Sequence, residues 1–317
     1  MFVETTIKVI HSLCPEDCHG EICWKPTNVS NFDRMKVVTA FCPDKKHEAK
    51  RICDFSRGWK RSNTTECTSP PVKDLLDQME INNVSSSEVG IKIANETKNT
   101  MEYSGNIRTY SIILEHLSQQ LGDVSDNNIT SFAVLDTANN LLDESKEADW
   151  EQFSVKKKMT IVSKILTSVE NTVVSLVNET DGDLSLIQKD NFALEAKLIR
   201  ADEKVLKDFK YIPPPILNNN TKEASDANQK SITIPKDTLD TITSSKENLT
   251  LIFTEYNDIE KLLQPIQSDN VERILNSKII SASLLKANKR VSGPFEGFIY
   301  YTKQLMEFIN AHSGIFH

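Results

Sequence analysis

The sequence predicts a multidomain α+β protein: a small disulfide-rich domain, then a run of helices, then antiparallel strands. Three observations carry this. All six cysteines, at 14, 18, 23, 42, 53 and 67, precede residue 68 of a 317-residue chain. From about residue 72 to 180 the apolar residues recur every three or four positions, the period of a helix with one buried face. After Asp181-Gly182-Asp183 they alternate, the period of a strand.

Composition narrows the function. Length is a soft prior for about two domains. Hydrophobic residues make up 38%, enough for real cores, and charged residues an ordinary 26%. With 45 acidic against 37 basic residues the net charge is −8. No clustered Lys and Arg offer a nucleic-acid footprint, and no nucleic-acid partner is expected. No two of the nine glycines are spaced G-x-G, which excludes Gly-rich phosphate cradles. No apolar run approaching the ~18–20 residues that span a bilayer is expected.

An even number of cysteines in one short segment reads as a disulfide-stapled domain or a zinc module. Cys14-x3-Cys18-His19-x3-Cys23 offers thiolates and an imidazole, with Cys42 and Cys53 as a further pair. Zinc modules favour C-x2-4-C pairs at matched spacing, whereas Cys42, Cys53 and Cys67 stand wider apart. Disulfides are therefore favoured, and no metal or other cofactor is expected. Eight Asn-X-Ser/Thr acceptors, at Asn28, Asn63, Asn83, Asn95, Asn128, Asn178, Asn219 and Asn248, compare with roughly four expected by chance. That excess favours a secreted or ectodomain history. The start, Met1 to Ile10, is not read as a signal peptide, because Glu4 and Lys8 interrupt its apolar core. The chain is expected to be a fragment of something longer.

The elements follow in order. Residues 11–69 are Cys-rich and punctuated by Trp24 and Trp59. Ser69-Pro70-Pro71 stops that segment. Ser85-Ser86-Ser87-Glu88 is a capping box ahead of a polar helix running towards Met101. Ile107, Tyr110, Leu114, Leu117 and Leu121 form one apolar stripe, and Phe132, Leu135, Ala138 and Leu142 the next. Val155, Met159, Val162, Leu166, Val169, Val173 and Leu176 make the longest. Phe192, Leu194, Ala196 and Leu198 share a strand face, while Pro213-Pro214-Pro215 and Asn218–Asn220 form a loop. Ser231–Ile234 is a strand cut off by Pro235, and Asn248–Tyr256 and Lys278–Leu285 are β-branched strands.

Catalytic constellations are absent. His47-Glu48-Ala49-Lys50-Arg51 begins like a zincin helix, but Arg51 stands where a second His is required. There is no Gly-x-Ser-x-Gly elbow, and the six His and scattered carboxylates assemble no triad. No catalytic residue is assigned.

As a framework the first segment is specific: Cys14-Pro15, Trp24, Thr27, Cys42-Pro43, Cys53, Gly58-Trp59 and Cys67-Thr68-Ser69-Pro70. It resembles the hormone-receptor domain of secretin-type and adhesion G-protein-coupled receptors. The resemblance implies bridges Cys14–Cys53 and Cys42–Cys67, leaves Cys18 and Cys23 to pair locally, and makes Trp24 and Trp59 the core of the domain. The remainder is similar to the GAIN (autoproteolysis-inducing) domain of adhesion receptors, most like that of latrophilins. The segment Leu249–Asn257 and the motif Leu275-Asn-Ser-Lys-Ile-Ile-Ser-Ala-Ser283 carry the likeness. The resemblance implies a hormone-receptor-like domain over 11–69 and a helical GAIN subdomain A over 70–185. A partial β-sandwich, GAIN subdomain B, follows over 186–303, with 304–317 a divergent tail.

The family's proteolysis motif uses a Cys/Trp-rich strand pair and a His-Leu-Ser/Thr triplet. After Ala287 this chain has neither Cys nor Trp, and His312-Ser313 lacks the intervening residue. The final strands, the tethered agonist and the seven-helix domain are thus expected to be missing, with an open apolar groove along Ile279–Leu285. The reading is a non-enzymatic extracellular piece of an adhesion-type receptor, on the outer side of the plasma membrane. It would bind an extracellular protein or peptide ligand or a neighbouring-cell protein, and reach a G protein only through the missing seven-helix domain. Alternatives are a secreted soluble binding or decoy protein of the same architecture, and a zinc-organised intracellular scaffold.

Overall fold

The computed structural model describes residues 11–81, 84–99, 101–121, 127–180, 182, 184–200, 208–211, 232–243, 248–257, 259, 262–263, 279–286 and 289–290. The chain divides into two compact units. One comprises Met1–Asn83, Thr100–Tyr110 and Ala148–Phe153, the other Val84–Asn99, Ser111–Glu147 and Ser154–His317.

The first unit opens with seven short strands: β1 (His11–Cys14), β2 (Asp17–His19), β3 (Ile22–Trp24), β4 (Thr27–Ser30), β5 (Met35–Phe41), β6 (Glu48–Asp54) and β7 (Gly58–Trp59). All pairings are antiparallel: β1 with β4, β2 with β3, and β5-β6-β7 as a three-stranded sheet. Gly20 turns β2 into β3 at φ 57°, a left-handed conformation that a residue without Cβ adopts freely. Helix α1 (Pro70–Glu80) follows with prolines at its first positions. Pro70 and Pro71 therefore open a helix as well as closing the Cys-rich segment. Proline's fixed φ is already helical, and its missing N–H belongs to the first turn, where no intrahelical partner exists.

Helix α2 (Ser86–Glu96) starts at the capping box: the Ser85 side chain accepts the Glu88 N–H at 3.2 Å. It ends at Thr97, short of Met101. Next come α3 (Gly105–Gln120), α4 (Asn127–Leu141), a 3-10 turn at Glu144–Lys146, α5 (Glu147–Trp150) and α6 (Val155–Glu179). In the second unit α4 packs against both α2 and α6. Gly90 lets α2 approach α4, since a Cβ there would meet the Ala133 Cβ at 3.0 Å.

The α6 stripe is buried from Met159 to Leu176. Among the described residues α6 is also the one helix long and apolar enough to cross a membrane by length and composition, contrary to the expectation that no such run is present. Of that stretch 67% is buried inside the protein, as in a core helix. The α4 stripe needs a second correction. Phe132 is 46% exposed, and Val134 and Leu141 are buried alongside Leu135 and Ala138.

Beyond α6 the chain forms β8 (Leu184–Gln188), β9 (Phe192–Ile199), β10 (Phe209–Tyr211), β11 (Ile232–Ile234), α7 (Lys236–Thr243), β12 (Leu249–Tyr256), β13 (Ile279–Lys286) and β14 (Lys289–Arg290). The order β14-β13-β12-β9-β8 makes one antiparallel five-stranded sheet, and β10-β11 a separate pair.

All eight residues of β12 are buried, because the sheet is covered on both faces. Leu249, Leu251 and Phe253 join Ile199, Tyr211, Ile234 and Leu239 in one core cluster, with the Tyr211 and Phe253 rings stacked at 4.6 Å. The opposite face meets α6. Ser283, paired with Ile252, donates from Oγ to Glu170 Oε1 at 2.8 Å. The proline loop at 213–215, Asn218–Asn220, the motif before Ile279 and the tail with His312-Ser313 lie outside the described residues. So do the side chains on which an apolar groove along Ile279–Leu285 would depend.

Candidate functional site

The candidate site is the disulfide-stapled surface of the first unit, where the six cysteines and both tryptophans of residues 11–69 are brought together. Three bridges join Cys14 to Cys53, Cys18 to Cys23 and Cys42 to Cys67. No cysteine is free. No thiolate is left for zinc, and among the described residues no group of three or more His, Cys, Asp or Glu could hold a metal ion. His47-Glu48-Ala49-Lys50-Arg51 runs into strand β6 rather than a helix, so its spacing sets no shared ligand face.

The bridges clamp a layered arrangement of aromatic rings and one cation. The Arg51 guanidinium lies 5.0 Å from the Trp24 ring centroid and 5.2 Å from that of Trp59. A planar cation between two ring faces is favoured by their negative quadrupoles. Its Nη1 donates to Asp17 Oδ2 at 2.6 Å and its Nε to the Lys60 carbonyl at 2.8 Å. Trp59 Nε1 donates to the Pro15 carbonyl at 2.6 Å. Trp24 is fully buried among Ile22, Cys42, Ala49 and Cys67, while Trp59 is only partly buried. Both tryptophans contribute to packing, and Arg51 locks them.

Two distant stretches complete this unit. Tyr103 enters the core cluster beside Ile22 and Trp24, and its hydroxyl accepts the Glu21 N–H. Burial first of all pushes the Tyr103 phenol up from 10.0. Asn106 accepts the Ser69 N–H at 2.8 Å, and Thr64 Oγ1 accepts the Ser104 N–H at 3.0 Å. From the last stretch Gln152 Oε1 accepts the Thr64 N–H at 2.9 Å.

Two carboxylates pin the turns. Burial opposes ionisation of Asp44, but hydrogen bonds from the His47 ring and from the N–H groups of Lys46 and His47 outweigh it. They hold this carboxyl at about 2. Asp54 is held well below the ordinary carboxylate range, first by the Ser56 hydroxyl at 2.8 Å and then by the Ser56 N–H at 2.9 Å.

The acceptor asparagines do not gather into a site. Asn28, Asn63, Asn95, Asn128, Asn178 and Asn248 are all exposed, in six different places; Asn83 and Asn219 lie outside the described residues. Some of the partner hydroxyls are buried. Thr97 and Thr130 are fully enclosed, and Thr97 Oγ1 donates to the Ile93 carbonyl at 2.7 Å.

A His-Leu-Ser triplet is present at His116-Leu117-Ser118, far from the C-terminal stretch where the family's motif is expected. It lies within α3. Leu117 is fully buried, and Ser118 Oγ donates to the Glu115 carbonyl at 3.0 Å, as a helical serine does. A hydroxyl held that way on regular helical backbone has no strained turn to relieve and no carbonyl poised for attack.

The family model described as "AGRL2-4 GAIN subdomain A" matches residues 70–177. A second model, GPS, described as "GAIN subdomain B", matches residues 191–298. The chain belongs to the GAIN-domain family. Both subdomains are present in order, as in the extracellular regions of adhesion G-protein-coupled receptors.

Among curated relatives, "Latrophilin Cirl" of Drosophila ananassae is 22% identical over 282 residues, covering 75% of this chain and 16% of that protein. "Cadherin EGF LAG seven-pass G-type receptor 3" of Homo sapiens is 26% identical over 129 residues, 37% of this chain and 4% of that receptor. The chain thus spans a small fraction of the length of these relatives. The GAIN assignment covers the helices and all of the sheet but β8; the disulfide-stapled segment lies ahead of both matched stretches.

Proposed function

We propose that this chain is a non-enzymatic contact module of an adhesion-type receptor, displayed on the extracellular side of the plasma membrane. It binds an extracellular protein or peptide, or a protein on a neighbouring cell. Residues 11–69 act as a hormone-receptor-like disulfide domain, 70–185 as GAIN subdomain A and 186–303 as GAIN subdomain B. The carrying observation is the order of parts: a segment stapled by three disulfides placed directly ahead of two GAIN subdomains. Disulfides persist in oxidising compartments, and the acceptor asparagines agree with that address. Signalling to a G protein would pass through a seven-helix region of the parent receptor.

The chain secreted behind a heterologous leader and fused to an antibody constant region tests this. Saturable staining of intact cells that disappears after surface proteolysis of those cells supports a protein contact. No staining across a broad panel of cell types, or staining indifferent to proteolysis, overturns it.

A further inference from the structure

Three acceptor asparagines each sit beside a large apolar side chain that the fold leaves in water. In the β1–β4 pair Asn28 is directly opposite Leu13, which is 60% exposed. Opposed residues on antiparallel strands project their side chains to the same face, with Cβ atoms ~5 Å apart. On α2, Asn95 lies four residues after Ile91, 49% exposed. On α4, Asn128 lies four residues before Phe132, 46% exposed, and next to Ile129, 51% exposed. Residues four apart on a helix stack on one face, and each side chain leans towards the N-terminal end. Asn95 therefore leans over Ile91, and Phe132 leans over Asn128.

We infer that N-linked glycans on Asn28, Asn95 and Asn128 serve as covers for these exposed apolar side chains. The first sugar of a glycan is joined to the Asn side-chain nitrogen, and one face of a pyranose ring carries mainly C–H groups. Placed one side chain away, that face removes Leu13, Ile91 or Phe132 from water, which is favourable in proportion to the apolar area withdrawn. The inference explains why these positions tolerate large hydrophobic residues on an extracellular surface. Asn178 is the internal contrast. Four residues before it stands Val174, which the protein itself buries.

The inference rests on the extracellular reading, and the experiment separates the two. The full chain is made through the secretory pathway, and glycopeptide mass spectrometry gives occupancy at each site. The folded glycoprotein is then treated with a peptide N-glycosidase without denaturation, so that sugar is lost only after folding is complete. Binding of an apolar-sensitive dye and Tm are read before and after. Site variants are Asn28→Gln, Asn95→Gln and Asn128→Gln, with Asn178→Gln as control. Asn95→Gln replaces Thr97→Ala because Thr97 is itself buried and hydrogen-bonded.

Dye fluorescence should rise and Tm should fall by about 2–4 °C for each covering glycan lost, with no change for Asn178→Gln. In a Leu13→Ser, Ile91→Ser, Phe132→Ser background the same deglycosylation should leave the dye signal unchanged. Occupancy at Asn178 or Asn248 with none at the three covering sites overturns the inference and leaves the extracellular reading intact. So does occupancy at the three without a dye response. No glycan at any acceptor overturns both.

Discussion

The hydroxyl of Tyr103 accepts the backbone N–H of Glu21 at 2.9 Å, across 82 residues of sequence. The bond ties the β2–β3 turn to a stretch that follows α2. Tyr103→Phe keeps the ring in the core and leaves the Glu21 N–H without this acceptor. The expected cost is about 1 kcal/mol, read as a lower urea midpoint with an unchanged slope. A slope change would mean instead that the substitution had altered how much of the protein unfolds together.

The three disulfides should rank by the loop each closes. The sequence separations are 39 for Cys14–Cys53, 25 for Cys42–Cys67 and 5 for Cys18–Cys23. Chain-entropy arithmetic then gives about 4, about 3.5 and about 2 kcal/mol in that order. Pairwise Cys→Ser variants test it by secretion yield and chemical denaturation. Should loss of the Cys18–Cys23 bridge prove the most damaging of the three, loop entropy is not what these bridges contribute.

Gly105 opens α3 against the end of the Cys-rich segment. A Cβ there would overlap the Cys67 carbonyl oxygen and stand 2.9 Å from the Thr65 carbonyl oxygen. Both obstacles are backbone, which cannot swing aside as a side chain can. Gly105→Ala should cost about 1–3 kcal/mol although alanine is the better helix former, and a thermal melt of the variant decides it. A neutral or stabilising result would mean that this approach is not close in solution.

Acid should loosen the first unit earlier than its charge balance alone suggests. Asp44 sits at about 2 in the folded protein against 3.8 for an ordinary carboxyl, and Asp54 is lowered as well. The unfolded chain therefore binds the extra protons. The stability that these groups supply is complete above about pH 4 and is lost as pH falls from there through the folded-state values. Asp44→Asn should lower Tm at neutral pH and flatten its fall between pH 4 and pH 2. A parallel curve would show that Asp44 is not a source of that slope.

The polypeptide should not cut itself. Ser118 is engaged on a helix, and self-cleavage by acyl shift needs a strained carbonyl next to an activated hydroxyl. Denaturing gels of aged protein should show one band. A new N-terminus at Ser118, at Ser313 or at another hydroxyl residue near the C-terminus would be found by terminal sequencing and would reverse this reading.

What the sequence discloses here follows the range of the forces involved. The stripes on α3 and α6 are legible because several turns repeat one spacing, and β12 because eight residues in a row are apolar, aromatic or β-branched but for Glu255. Phe132 misleads for a physical reason: Ala133, Val134 and Leu135 follow it directly, so α4 is apolar nearly all round and periodicity cannot choose its buried face. Strands β8 and β10 are short, and α7 follows Pro235, which reads first as a strand terminator. The even cysteine count marks bridges, but their pairing enters only through resemblance. Arg51 between Trp24 and Trp59, and Tyr103 beside Trp24, carry no local signal at all. Their contacts join residues 8 to 79 positions apart, a distance over which spacing is silent.

The central position of β12 also sets a clock for biosynthesis. Its register runs from Leu249 opposite Ile199 to Tyr256 opposite Phe192, so β9 leaves the ribosome at least 50 residues before its partner. At ~5–20 residues per second β9 waits roughly 3–10 s for that partner. During the wait β9 has β8 alone to pair with, and its other edge stays open. Strand β13 comes later still. The step most exposed to misassembly is therefore the interval between the emergence of two strands, and slowing translation across residues 200–248 should lower the yield of secreted protein more than the same delay placed after residue 290.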